Sequence, residues 1–124
     1  MDYHDYHLRG YTVSDRGSSI ALDLVYDYEG RPRCESIIRF GGVALYHFIH
    51  TGGAIITDIE EVPLNGHLDE IAESLAMWSK WYGVSGWRGS LEGYKAHLNT
   101  QSLRVWEIGS AIGFYGFVIA KDIA

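Results

Sequence analysis

Residues 36–62 constrain the fold of this chain more than any other stretch. They read SIIRF, Gly41-Gly42, VALYHFIH, Thr51-Gly52-Gly53 and AIITDIEEV. Ile37, Ile38, Val43, Ile49, Ile55, Ile56, Ile59 and Val62 are stiff at χ1 and suit a pleated surface. Glycines between such runs supply the positive φ of tight hairpin turns. The block predicts three strands, over about 35–40, 43–49 and 54–62, joined as a meander. A bulge at Gly41-Gly42 inside one longer strand is the alternative. In the middle run, alternation puts Val43, Leu45, His47 and Ile49 on one face and Ala44, Tyr46, Phe48 and His50 on the other. Both sets are largely apolar, so a central strand covered on both sides is expected.

Two strands are expected before this block, over about 7–14 and 19–26. Asp15-Arg16-Gly17-Ser18 carries turn chemistry between them. After Pro63, the residues Leu68, Ile71, Leu75, Trp78 and Tyr82 recur at helical spacing. They predict a helix over 66–82, with Asn65 as N-cap and Gly83 as stop. Ser90 can cap a shorter helix over 91–98. Residues 103–109 and 113–121 predict two closing strands with a turn at 110–113. A bulge near Val105-Trp106 would reconcile a change of parity there. Strands grouped around helices imply antiparallel pairing. The expected fold is mainly β, an antiparallel seven-stranded β-sandwich with a two-helix insertion. The alternative is an α+β single antiparallel sheet with both helices on one face. At 124 residues the chain reads as a single domain, 1–124.

Charge narrows the function classes. A net charge of −6 and a pI near 5.4 argue against nucleic acid and permit a basic protein partner. A homo-oligomer is compatible with all of this. The single cysteine, Cys34, cannot form an internal disulfide, which suits a reducing, cytoplasmic setting. Neither a signal leader nor an apolar run long enough for a membrane span is legible.

Four groupings could carry chemistry. His4, Asp5 and His7 offer nitrogen and oxygen ligands for a divalent metal, although short matches of this kind are usually structural. His47 and His50 form His-x-x-His, but on a strand the odd offset places them on opposite faces. Asp58, Glu60 and Glu61 gather carboxylates at a strand end, where charge also blocks edge aggregation. The run WSKWYGVSGW crowds Trp78, Trp81, Tyr82 and Trp87 together. Trp78 and Tyr82 belong to the core stripe. Trp81 stands off to one side of that stripe, and Trp87-Arg88 is the expected exposed part. Trp81, Trp87 and Arg88 are the candidate binding surface, since loop indoles anchor protein or sugar partners. No glycine-rich phosphate loop and no nucleophile–base set is present, so no cofactor is implied.

The opening YHDYHLRGYTVSDRGSSIALDLVY and the later SIIRFGGVALYHF resemble a loose group of small, uncharacterised bacterial β-rich proteins. His4-Asp5 stands before the first strand, residues 20–24 alternate, and Phe40, Val43 and Tyr46 form the F-x-x-V-x-x-Y element. The resemblance covers about the first half of the chain and falls mostly on β-core positions. Some relatives of this general β-rich kind are grouped with immunity proteins that neutralise bacterial toxins. The resemblance implies a β-sandwich and immunity-type protein binding, and it brings no catalytic residues. A non-catalytic, bacterial protein-binding domain is therefore the expected function. The alternative is a metal-binding domain or metal-dependent hydrolase using His4, Asp5 and His7. A sugar-binding module on the tryptophan-rich loop ranks third.

Overall fold

The computed structural model describes residues 3–124. Among them the chain forms six strands and three α-helices. In order these are β1 (Tyr6–Ser14), β2 (Ser19–Tyr26), β3 (Cys34–Gly41), β4 (Leu45–Val62), α1 (Leu64–Glu70), α2 (Ala72–Trp81), α3 (Leu91–Thr100), β5 (Arg104–Ala120) and β6 (Asp122–Ile123). All strands belong to one antiparallel sheet ordered β5-β4-β1-β2-β3-β6. The fold is mainly β, as expected, but the sheet curls into a half-barrel. It is not a seven-stranded sandwich, and it carries three helices rather than two.

The reason lies in β4 and β5. The strands expected over 43–49 and 54–62 are one strand, and so are those expected over 103–109 and 113–121. Thr51-Gly52-Gly53 and residues 110–113 do not turn the chain. They face each other as irregularities within one long ribbon, whose register shifts between His50 and Ile55. Gly113 has φ 82°, and a Cβ there would overlap the Gly53 carbonyl oxygen. Ser110 braces the distortion. Its hydroxyl donates to the Phe114 carbonyl oxygen and accepts from the Phe114 N–H at 3.2 Å. Bulges bend a strand and increase its twist, so the ribbon curves instead of dividing between two sheets.

Gly41-Gly42 is neither a hairpin turn nor a bulge. β3 and β4 are not neighbours in the sheet; β3 pairs with β2 and with β6. The two glycines form a corner instead. Gly41 admits the Asp122 side chain, and Gly42, at φ 61°, lies against the aliphatic stem of Lys121. β6 follows β5 after Lys121 alone and pairs Ile123 with Phe40. Ala124 and Arg39 exchange backbone hydrogen bonds at 2.8 and 2.9 Å. The end of the described chain thus ties the two margins of the sheet together.

The β4–β5 ribbon separates two cores. Ile56, Ile59, Trp106, Ile108, Phe114 and Val118 face into the half-barrel, with Ile20, Leu22, Leu24, Ile38 and Phe40. The alternate residues Val105, Phe117 and Ile119 face Leu68 of α1, Leu75 of α2, and Tyr94 and Leu98 of α3. This explains the parity change at Val105-Trp106. Both residues are buried, one on each face, and the register runs through them without a bulge. The run 45–50 is less covered than expected. β1 reaches β4 only at residues 54–56, and Tyr46 and Ile49 stay exposed.

The helix expected over 66–82 is two helices. Ile71 leaves helical geometry (φ −100°, ψ 16°) between α1 and α2. Neither glycine nor proline stands at the break, so the apolar periodicity runs straight across it. Asn65 does not cap; its side-chain oxygen accepts from the Asn99 amide of α3 at 2.9 Å. Ser90 does cap α3, accepting from the Gly93 N–H at 3.1 Å, and α3 runs on to Thr100. No helix among the described residues is long and apolar enough to cross a membrane.

Candidate functional site

α2 aims its aromatic residues in two directions. Trp78 turns to the sheet and stacks at 4.7 Å on His47 of β4. Partial burial holds the His47 imidazole below its usual pKa. Trp81 lies on the outer side, 67% exposed, with the Lys80 ammonium 5.1 Å from its ring centre. Tyr82, expected on the core stripe, is 82% exposed. α2 ends at Trp81, and Gly83, at φ 77°, carries the chain away from the helix path.

Between Tyr82 and β4 lies an open hollow of about 310 Å³, lined by Tyr46, His47, Trp78 and Tyr82. It continues past Leu45, Tyr46, Gly83 and Val84 into a larger cleft of about 570 Å³. The β3–β4 corner, the loop after α2 and the end of α3 form its walls. Arg16 and Lys121 line it. Arg16 sits in the single 3-10 turn between β1 and β2, itself at φ 58°. Neither cation forms an ion pair among the described residues, whereas Arg9, Arg33, Lys95 and Arg104 are all paired with carboxylates. An acidic chain thus keeps two uncompensated positive side chains on one cleft.

A second grouping lies on the helix-facing side of the ribbon. His67 of α1 is the buried polar residue of the described chain, 3% exposed. Its Nδ1 stands 3.0 Å from Oε1 of Glu107 in β5. Its ring packs edge-on against Phe117, centroids 4.4 Å apart. Nε2 is buried without a hydrogen-bond partner. Glu70, one helical turn further along, adds a carboxylate; one donor atom from each of the three residues lies within 4.8 Å of the others. Glu60 of β4 pairs directly with Glu107, so its side chain leaves the same face of the sheet. Partial burial first, then the Glu107 and Glu70 carboxylates, raise the pKa of the nearby Tyr115 hydroxyl.

The residues singled out from the sequence scatter. His4 and Asp5 are exposed in a turn before β1, 3.6 Å apart, while the ring of His7 packs at 5.2 Å on Tyr28. Their donor atoms are not gathered as those of His67, Glu70 and Glu107 are. His47 and His50 do lie on opposite faces of β4, His50 against Phe114 and Tyr11. Asp58 and Glu60 are exposed. Glu61 pairs with Arg104 at 2.8 Å, and that guanidinium holds its carboxyl below the usual range. Trp87 is half-buried against Tyr94 at 5.5 Å. Arg88 is exposed, donates to the Gly86 carbonyl and approaches Nδ1 of His97 at 3.2 Å.

The sequence marks Tyr82 as core and Tyr46 only as a strand position, and it marks none of Arg16, Lys121, His67, Glu70 and Glu107 as a site residue. Two signals could have pointed to some of them. His67 and Glu70 stand three apart in a helical stretch, and Glu107 interrupts the apolar run Val105-Trp106-Glu107-Ile108. Compared with known proteins, the chain matches no family model, no curated protein and no solved structure.

Proposed function

We propose that this is a non-catalytic protein-binding domain that holds a segment of its partner across the Tyr82 hollow and the adjoining Arg16–Lys121 cleft. One juxtaposition carries the reading: an exposed aromatic ledge runs directly into a cleft with two unpaired cations. Tyrosine and tryptophan give large contact area at low cost in side-chain entropy and dominate binding hot spots. The net charge of −6 favours basic partners at long range. At contact the local charges govern, because screening removes the rest beyond about 8–10 Å. The fitting segment therefore carries an aromatic or large apolar side chain beside a carboxylate. An immunity-type inhibitor, the form implied by the sequence resemblance, would present such a surface to its toxin.

Selection of a random peptide library on the full chain tests this. Enrichment of acidic–aromatic peptides is expected, with binding weakened by salt. Tyr82→Ala and the double variant Arg16→Ser/Lys121→Ser are each expected to lose about tenfold or more in affinity. Their melting temperatures should be unchanged, because all three side chains are exposed. A library that yields no binders overturns the reading, as do peptides that bind both variants as well as the parent.

A further inference from the structure

His67 sets a chemical problem that the protein atoms leave unsolved. If Nδ1 carries the ring proton, it donates to Glu107, and Nε2 is a bare acceptor buried without a donor. If Nε2 carries the proton, it is a buried donor without an acceptor, and Nδ1 then faces the Glu107 oxygen, two lone-pair atoms 3.0 Å apart. Either tautomer leaves an uncompensated polar atom, and such atoms cost about 1–3 kcal/mol each. In the second arrangement a metal ion between Nδ1 and Oε1 would remove the clash of lone pairs, with Nε2–H left as the one buried donor without an acceptor. Two ligand atoms bound at about 2.0–2.1 Å to one metal ion stand about 2.8–3.4 Å apart for bond angles from 90° to tetrahedral.

The surrounding charge points the same way. Glu70 brings a second carboxylate within 4.8 Å, and Glu60 extends from the position directly opposite Glu107. Like charges directly opposite across a sheet are unfavourable unless a cation joins them. Among the described residues no lysine or arginine pairs with Glu60, Glu70 or Glu107. Asp23, Asp27, Glu61, Asp69 and Glu92 each have one and Glu35 has two, whereas Asp15, Glu29, Asp58, Glu73 and Asp122 likewise have none among the described residues. Two carboxylates, Glu70 and Glu107, meet one imidazole, and Glu60 leaves the same face of the sheet beside them.

We propose that His67, Glu70 and Glu107 form a binding site for a divalent first-row transition-metal ion of the zinc or manganese kind, with Glu60 at its margin. One imidazole nitrogen with carboxylate oxygens suits such ions. It suits calcium and magnesium less well, since they favour all-oxygen ligand sets. Glu70 is exposed and Glu107 half-buried, so water can complete the coordination from the open side. The site joins α1 to the β4–β5 ribbon and shares no residue with the docking cleft. It therefore stands or falls independently of the function proposed above.

Titration of the metal-free full chain with zinc, and separately with manganese, tests the site by calorimetry and thermal melting. Saturable binding of one ion per chain is expected, with a rise in melting temperature. Glu70→Gln and Glu107→Gln should each weaken binding by about tenfold or more and reduce the thermal gain. Glu70 is exposed, so its variant reports on binding even if the Glu107 variant folds poorly. The double variant His4→Gln/His7→Gln should bind as the parent does. Absence of saturable binding for both metals overturns the proposal. So does binding that survives Glu70→Gln and Glu107→Gln, or that disappears in His4→Gln/His7→Gln.

Discussion

Tyr94 of α3 shows how a single side chain can be both an anchor and a burden. Its ring is fully buried between Trp87 and the outer face of the ribbon, and its hydroxyl has no hydrogen-bond partner. Burial pushes that hydroxyl from its ordinary pKa of 10.0 up to about 12. Between those values the folded chain keeps a proton that the unfolded chain releases, so stability falls as pH rises through the window. Tyr94→Phe should keep the ring packing and remove the orphaned hydroxyl. At neutral pH its stability should equal the parent or exceed it by about 1 kcal/mol. Its alkaline loss between about pH 10 and 12 should be shallower, as chemical denaturation across pH would show. The same scale explains why the candidate metal cluster escaped the sequence. His67 lies just before the apolar stripe that starts at Leu68, and its partner Glu107 is 40 residues away. Only the register of α1 on β5 brings them together. Trp81 was legible because it stands off the Trp78 stripe. Tyr82 was not, because its exposure depends on where α2 stops.

At the scale of elements, glycine decided what could be read. The β-branched runs of residues 36–62 do form strands, and Ser90 does cap a helix. What the runs do not encode is whether a glycine between them turns the chain or bends it. Thr51-Gly52-Gly53 has the composition of a turn, yet it lies opposite Gly113 within a continuous ribbon. The deciding contact is backbone to backbone across strands, and local chemistry is silent about it. The apparent parity change at Val105-Trp106 misled for a related reason. A strand buried on both faces shows no single alternation, so no bulge is needed there. Gly113→Ala tests the bend. It combines a positive φ with an overlap on the Gly53 carbonyl, and should destabilise the chain by roughly 2–4 kcal/mol. Urea denaturation measures the loss, and amide exchange should rise first around residues 50–55 and 110–114.

For the whole molecule, closure of the half-barrel depends on a short segment. Asp122, Ile123 and Ala124 cover the free margin of β3, pairing with Phe40 and Gly41 and bonding Arg39. A chain shortened to residue 121 should leave β3 as an open edge. It should melt at lower temperature and associate at raised concentration, since bare edges recruit other strands. Light scattering and size-exclusion chromatography against concentration would show this, and a monomer of unchanged stability would refute it. The β4–β5 ribbon has a different consequence, one that concerns time. Leu45 pairs with Ile119, and Val62 with Val105, so each core receives one of its walls from residues made well after β4. Contacts so distant in sequence form slowly. While the ribosome is still adding α3, the sticky run 36–62 has no sheet partner from β5. A nascent chain of this design passes through an interval in which it is vulnerable to its neighbours, and translation speed, as much as side-chain chemistry, sets how long that interval lasts.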